Sequence, residues 1–355
     1  MVRVRIQDVA ERAGVSTATV SHVINQTRFV SDETRLKVLE AIEELNYQPS
    51  AIARGLATNS TQTIGLVISD IANPFFTAVA RGVEDEINQH GFHTIFSNTD
   101  EDPDREDEYL RLLFARQIDG LIIAPTGVPS DRLVRMAEAE IPIVLLDRSM
   151  PGLDAPLVSV DNEGGAYMAT RYLIELGHRR IAVLMGLETI STQVARLNGY
   201  KRAMQEAGLP LEDALVVHAD PRMAVNQFGN GVALPPTFLT NNQMTPAAFY
   251  ALQGLLDLPQ RPTAIFVANN QMTLGTFYAL KERGLSCPGD ISLISFDDHD
   301  WATLFAPPLT VVRQPTYQLG QMAARLLIKL MDHQDFEVPS PVSVELIIRE
   351  SCRRL

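Results

Sequence analysis

The chain has little cysteine: only Cys287 and Cys352 occur in 355 residues. Two such distant thiols make neither a disulfide framework nor a zinc spacing, which fits a protein folded in a reducing compartment. No apolar run reaches the ~18 residues of a membrane span. The opening MVRVRIQD lacks the apolar stretch of a signal peptide. A soluble protein of the cytoplasm, without a membrane partner, is expected. Phosphate-cradling motifs are missing as well: neither a G-x-G-x-x-G turn nor a Walker loop is present, so no nucleotide cofactor is expected. The seven histidines show no ligand spacing, and no nucleophile–base pair stands out. Neither a metal site nor catalytic residues are assigned, and the chain does not read as an enzyme.

Charge is unevenly spread. The formal net charge is −13, from 30 Lys and Arg against 43 Asp and Glu, a balance that repels phosphate. Residues 1–60 hold seven cations (Arg3, Arg5, Arg12, Arg28, Arg35, Lys37, Arg54) and seven acids (Asp8, Glu11, Asp32, Glu33, Glu40, Glu43, Glu44). The front is therefore neutral, and residues 61–355 carry the whole deficit. Only the front can approach a nucleic acid, on a few placed cations, and such binding is steeply salt-dependent. The length and an apolar content of 46% allow two or three cores.

The stretch IQDVAERAGVSTATVSHVIN (6–25) organises the front. Ile6, Val9, Ala10 and Ala13 fall on one helical face. Gly14 then supplies a turn residue free to take positive φ, and Ser16 can cap a second helix. In that helix Val20, Val23 and Ile24 point inward, which leaves Thr17, Ala18, Ser21 and His22 outside. Two short helices joined by a glycine turn, the second with a small polar outer face, read as a helix-turn-helix. Thr17, Ala18 and His22 then sit where base edges are met in a major groove. On spacing alone, a helical pair in an ordinary bundle fits too. Ser31-Asp32-Glu33 opens a third helix, with Leu36, Leu39, Ile42 and Leu45 as its expected buried stripe. It ends at Pro49. PSAIARGLAT (49–58) follows, too short to hold a helix alone in water. It is either a linker or a segment that folds on binding.

From Thr63 the texture changes to short apolar runs alternating with amphipathic helices. The first runs are 64–69, 93–97, 120–124, 143–146 and 158–160; a second series is 181–185, 214–218, 264–268 and 291–296. This pattern predicts an α/β protein with two doubly wound parallel-sheet lobes behind the helix-turn-helix head. Ligands of such sheets bind at the carboxyl ends of the strands. NNQMTPAAFYAL (241–252) echoes NNQMTLGTFYAL (269–280), a local duplication.

These pieces resemble the LacI-type transcriptional regulators along nearly the whole chain. The matching stretches are the head, VSDETRLKVLEAIEELNYQPSAIARGLAT, IGLVISDIANPFF, DGLIIAP, VSVDNEGGAYMATRYLIELGHRRIAVL, ARLNGY, and ISLISFDD with PPLTVVRQP. STATVSHVIN and TRFVS are most similar to the purine repressor branch. The resemblance implies a periplasmic-binding-protein-like body and a bacterial, nucleoid-associated homodimer that grips palindromic operator DNA. It implies a helix-turn-helix head over 1–48, a hinge helix and linker over 49–60, and a two-lobed domain over 61–355. The first lobe is expected at about 61–161 with 297–312, and the second at about 162–296 with 313–355. It places Thr17, Ala18, His22, Arg28, Arg54 and Leu56 on DNA. Leu56 is the wedge between base pairs, a role that suits an apolar side chain left exposed on a short helix. It places Asn73, Phe75, Asp147, Arg148, Thr192, Arg196, Asn269, Asp297 and Gln314 around a small-molecule effector in the cleft.

The chemistry of that set suits a polyol. Arg196 and Asp297 can each hold vicinal hydroxyls in fork geometry, and Phe75 offers a flat apolar face. Ile190 and Arg148 stand where the purine repressor has an arginine and a stacking tryptophan, which argues against a purine. Two arginines leave a sugar, a sugar acid and a sugar phosphate open. Two other readings compete. A periplasmic-type sugar-binding protein lacks reason for the head, and an enzyme on two lobes lacks a reactive group.

Overall fold

A computed structural model of the chain describes residues 4–25, 28–47, 60–220 and 244–355. The expected hinge helix, with Arg54 and Leu56, and most of the irregular 221–245 stretch lie outside these residues. Two compact units are present: Met1–Thr63 with Gln117–Asp119, and the remainder.

The first unit holds α1 (Ile6–Ala13), α2 (Thr17–Asn25) and α3 (Asp32–Glu44). Gly14 stops α1 at φ 67 and directs its N–H onto Glu11 O, while Val15 N–H reaches back to Ala10 O at 3.0 Å. This closure satisfies the free carbonyls of the helix end. Ser16 caps α2 by accepting from Thr19 N–H at 3.1 Å, and Ser31 caps α3 by accepting from Thr34 N–H. Val9, Ala10, Val20, Val23, Val38 and Ala41 form the core. The expected α3 stripe is corrected here. Leu36 and Leu39 are 59% and 49% exposed, and the buried line runs through Val38 and Ala41, with Ile42 and Leu45 at its edge. Short side chains let three short helices pack closely, and the two leucines are turned to the flank.

In the second unit, one sheet has the order β2-β1-β3-β4-β5: β1 (Thr63–Ile68), β2 (His93–Asn98), β3 (Gly120–Ile123), β4 (Ile143–Leu146) and β5 (Leu157–Val158). Strands β1, β3, β4 and β5 pair in parallel, as in Ile64 beside Gly120 and Leu121 beside Ile143. Helices α4 (Pro74–Gln89), α5 (Pro103–Ala115) and α6 (Asp131–Glu138) alternate with these strands. The other sheet has the order β11-β10-β9-β8-β6-β7. Its strands are β6 (Ile181–Met185), β7 (Val216–His218), β8 (Ala264–Val267), β9 (Ser292–Phe296), β10 (Thr310–Arg313) and β11 (Glu345–Ile347), the last antiparallel. Helices α7 (Asn162–Glu175), α8 (Ser191–Glu206), α9 (Met244–Leu256) and α10 (Asn270–Glu282) belong to this lobe. The described parts of the echoed stretches, from Met244 and from Asn269, run into α9 and α10, which pack together; Thr245 Oγ1 donates to Gln271 O at 3.0 Å.

The final exchange between lobes differs from the expected 297–312 and 313–355 division. Strand β10 pairs with β9 in the second sheet, whereas α11 (Thr316–Met331) buries Leu319, Ala323, Ala324 and Leu327 in the first core. The run TVVR supplies a strand beside β9, and the apolar face of α11 covers the first sheet. The chain therefore crosses between lobes near residues 160, 314 and 342. Two crossings are tied together: Asp161 N–H donates to Val342 O, and Val342 N–H to Ser159 O, both at 2.9 Å.

Candidate functional site

All nine cleft residues expected from the sequence line one small cavity. The strand ends place them. Asp147 and Asp297 directly follow β4 and β9, and both have positive φ, 65 and 79. Non-glycine residues pay for that conformation, and it recurs where function fixes a side chain. Asn73 caps α4 by accepting from Phe75 N–H at 3.0 Å, and Asn269 caps α10 by accepting from Met272 N–H at 2.9 Å. Thr192 and Arg196 lie one turn apart on α8 and face the cavity together.

Arg196 is 4% exposed. Its Nε donates to Asn162 Oδ1 at 2.8 Å, its Nη1 donates to Ala268 O, and the guanidinium lies 3.6 Å over the Phe296 ring. Burial pulls its pKa down, against the pull of Asp297 and Asp147. Arg148 differs. Burial also works against its charge, but Glu101 and Asp147 more than offset this and hold its pKa above the ordinary value. Gln314 donates through Nε2 to Asp297 Oδ1, and its own Oε1 is buried without a partner among the described residues. A buried carbonyl oxygen with no donor is costly, and this one belongs to a residue lining the cavity. Hydrogen-bond donors on a ligand would satisfy it.

The cleft is bridged directly. Asn270 Nδ2 donates to Asn73 Oδ1 at 2.8 Å, Ser149 N–H to Ser191 Oγ at 3.0 Å, and Gln271 Nε2 to Asp70. His299, beside Asn270, has its pKa pulled down by burial. Glu106, on α5 behind Arg148, accepts from Thr126 N–H at 2.7 Å. Burial pushes its pKa up to about 7, with Glu101 adding to the rise.

Phe76 and Gln193 also line the cavity, and neither was expected. Phe76 packs edge-on against Phe75, with ring centres 4.9 Å apart, and Gln193 Oε1 accepts from Gly186 N–H at 2.8 Å. The adjacent aromatics in PFF were the available signal for Phe76.

In the head, Thr17 and Ala18 are exposed on α2, His22 is half-buried one turn on, and Arg28 is exposed after the helix. His22 and Arg28 border a shallow depression with Ser16, Thr19, Phe29 and Thr34. Among the described residues, no group of three or more His, Cys, Asp or Glu could hold a metal, and no helix is long and apolar enough to cross a membrane.

Comparison with known proteins agrees with this architecture. Residues 5–50 match the bacterial regulatory proteins of the lacI family. Residues 61–228 match the periplasmic binding proteins and sugar binding domain of the LacI family, and residues 170–352 match a periplasmic binding protein-like domain. The chain is similar to the HTH-type transcriptional repressor PurR of Vibrio atlanticus, with 36% identity covering 94% of this chain and 93% of the relative. It is similar to the structure of the lac repressor dimer bound to operator and an anti-inducer, at 27% identity, TM-score 0.76 and 99% of both chains. A LacI family regulator of Enterococcus faecium with bound ribose matches at 28% identity and TM-score 0.69, over 82% of this chain and 99% of that one. The chain belongs to the LacI family of bacterial transcriptional regulators, with a helix-turn-helix head and an effector-binding body.

Proposed function

We propose that this regulator is a cytoplasmic repressor that binds a palindromic operator as a homodimer, and that a sugar-like polyol in the cleft controls that binding. The observation that carries the reading is the cavity itself. Two carboxylates fixed at strand ends, two buried arginines, two helix-capping asparagines and an unpaired Gln314 carbonyl converge beside two phenylalanines. Hydroxyl groups donate and accept at once, so they satisfy such a mixed lining, and the rings cover an apolar sugar face. The Enterococcus relative with bound ribose supports a ligand of monosaccharide size.

In this reading Thr17, Ala18 and His22 meet base edges in the major groove, and Arg28 and Arg54 bind phosphate. Leu56 wedges the central base step from a hinge helix that forms on DNA. Residues 1–48, 49–60 and 61–355 serve as head, hinge and sensor. The effector sets the lobe angle, and the lobe angle biases the hinge.

The test is operator binding by the purified full chain, followed by fluorescence anisotropy of a duplex from its own promoter. D-ribose, D-glucose and D-fructose are added in turn. A change in operator affinity with one of them, absent on random duplex, supports the reading. Equal affinity for random and promoter DNA under all conditions overturns it.

A further inference from the structure

A carboxylate beside the cavity, Glu101, binds one of its lining arginines and so competes with an anionic ligand. Arg148 lines the cavity, and its side chain is only 7% exposed. Both oxygens of Glu101 accept from Arg148 Nη1 at 2.9 Å, and Asp147 Oδ2 accepts from Nε at 3.2 Å. Glu101 comes from the loop after β2, 47 residues earlier, and its own side chain is 30% exposed. The loop is built to hold it there. Asp100 and Glu101 both take positive φ, 53 and 58, although neither is glycine. Such conformations cost energy and persist only where the surroundings enforce them. Here Thr99 N–H donates to Ile68 O at 3.0 Å, Glu101 N–H to Ser69 O at 3.1 Å, and Asp102 N–H to Thr99 O at 3.0 Å. Arg105 binds Asp100 alongside.

Charge gives the consequence. Two cations, Arg148 and Arg196, stand against three carboxylates, Asp147, Asp297 and Glu101. Glu101 tips the balance to the acidic side, and it occupies Nη1 of Arg148, so a phosphate or carboxylate arriving at this guanidinium meets a counter-charge already in place. A neutral sugar loses nothing by this, because a hydroxyl needs no counter-charge.

We propose that Glu101 is a specificity determinant of the effector cavity: by neutralising Arg148 it excludes sugar phosphates and sugar acids and restricts the ligand to neutral polyols. The inference rests on the cavity being the effector site and narrows the class of effector.

The test uses inorganic phosphate as the anionic probe on the full chain, read by calorimetry and by 31P line broadening. Wild type is expected to show no saturable binding. Glu101→Gln, which keeps the shape and removes the charge, is expected to bind phosphate saturably. Glu101→Asp, which keeps the charge, is expected to behave as wild type, and Glu101→Gln/Arg148→Met to lose the gain. Glu101→Ala serves as a second charge-removing variant should the glutamine form not fold. In parallel, the ratio of D-ribose to D-ribonate affinity is expected to shift toward the acid by about tenfold or more in Glu101→Gln, since one removed unit charge at close range in a partly dry site is worth at least that. Saturable phosphate binding by wild type that needs Arg148, or no gain in either charge-removing variant, overturns the proposal. The two readings fail separately. Phosphate capture by Glu101→Gln with no sugar effect on operator binding removes the sensing role alone; a sugar effect with no phosphate gain removes the role of Glu101 alone.

Discussion

Gly127 offers a way to separate lobe closure from folding. It lies in the first lobe, just after β3, with φ 81. A Cβ built there would stand 2.5 Å from Thr189 O and 3.2 Å from Thr189 C, on the loop that leads into α8 of the second lobe. Carbon–oxygen contacts of ordinary length are roughly 3.3–3.6 Å, so Gly127→Ala forces the lobes about 1 Å apart at this point. Two costs follow and can be measured apart. The left-handed backbone costs an alanine about 1 kcal/mol whether the cleft is open or closed. The clash is felt only while Gly127 and Thr189 stay in contact, so the free variant can relieve it by opening the cleft, whereas a ligand held by both lobes opposes that; it is worth about 1–3 kcal/mol, as for overpacking elsewhere. Urea unfolding of the free variant is therefore expected to show a loss of about 1 kcal/mol. Calorimetry with the best-binding neutral sugar is expected to show a loss of roughly 5- to 150-fold in affinity. If stability falls as stated while affinity stays within about twofold of wild type, the Gly127–Thr189 contact plays no part in binding, and the closure argument fails.

Other predictions follow from the same structure. Leu56→Ala is expected to weaken promoter binding by about 1–3 kcal/mol while leaving random-duplex binding nearly unchanged; equal losses on both duplexes, by anisotropy, would remove the wedge. Glu106→Gln tests the buried carboxylate. Its pKa is raised from 4.5 to about 7, so its contribution to stability is full below pH 4.5 and is lost as pH rises through 7. The glutamine variant is expected to match wild type near pH 4.5 and to exceed it at pH 8 by up to about 3 kcal/mol. Parallel denaturant curves at both ends of that range would show no such divergence if Glu106 ionised freely. Gly14→Ala is expected to cost the head about 1 kcal/mol through its positive φ, seen as an earlier melt and as weaker binding to all duplexes alike.

The parts of the fold that were legible in the sequence follow from local chemistry. Runs such as GLII, IVLL and AIFV are buried on both faces of a parallel sheet, so they are apolar throughout and stand out between helices. Cleft residues at strand ends were legible for a related reason: a polar residue that ends an apolar run marks the carboxyl end of a strand, where ligands gather. Asp147 after IVLL and Asp297 after SLISF show this directly. Features that depend on distant partners were hidden. Glu101 reaches Arg148 from another strand end, and Asn162 orients Arg196 from another helix; neither pairing leaves a spacing to read. The Leu36 and Leu39 error has a similar source, since periodicity gives a helical stripe but not which of two flanking stripes its neighbours cover. The boundary near Gln314 is legible but the lobes on its two sides are not, because TVVR and the apolar face of the following helix look alike to a hydropathy pattern, although one completes the second sheet and the other the first core.

The most direct measurement is the operator affinity of the full chain with and without a saturating neutral sugar, in wild type and in Arg196→Ala. Arg196 is held by Asn162, Ala268 O and the Phe296 ring, within the cavity. Sugar is expected to change operator affinity in wild type, while the variant binds operator as sugar-free wild type does and ignores the sugar. A variant that still responds, or a wild type that takes up sugar in the cleft without any change on DNA, would contradict that expectation.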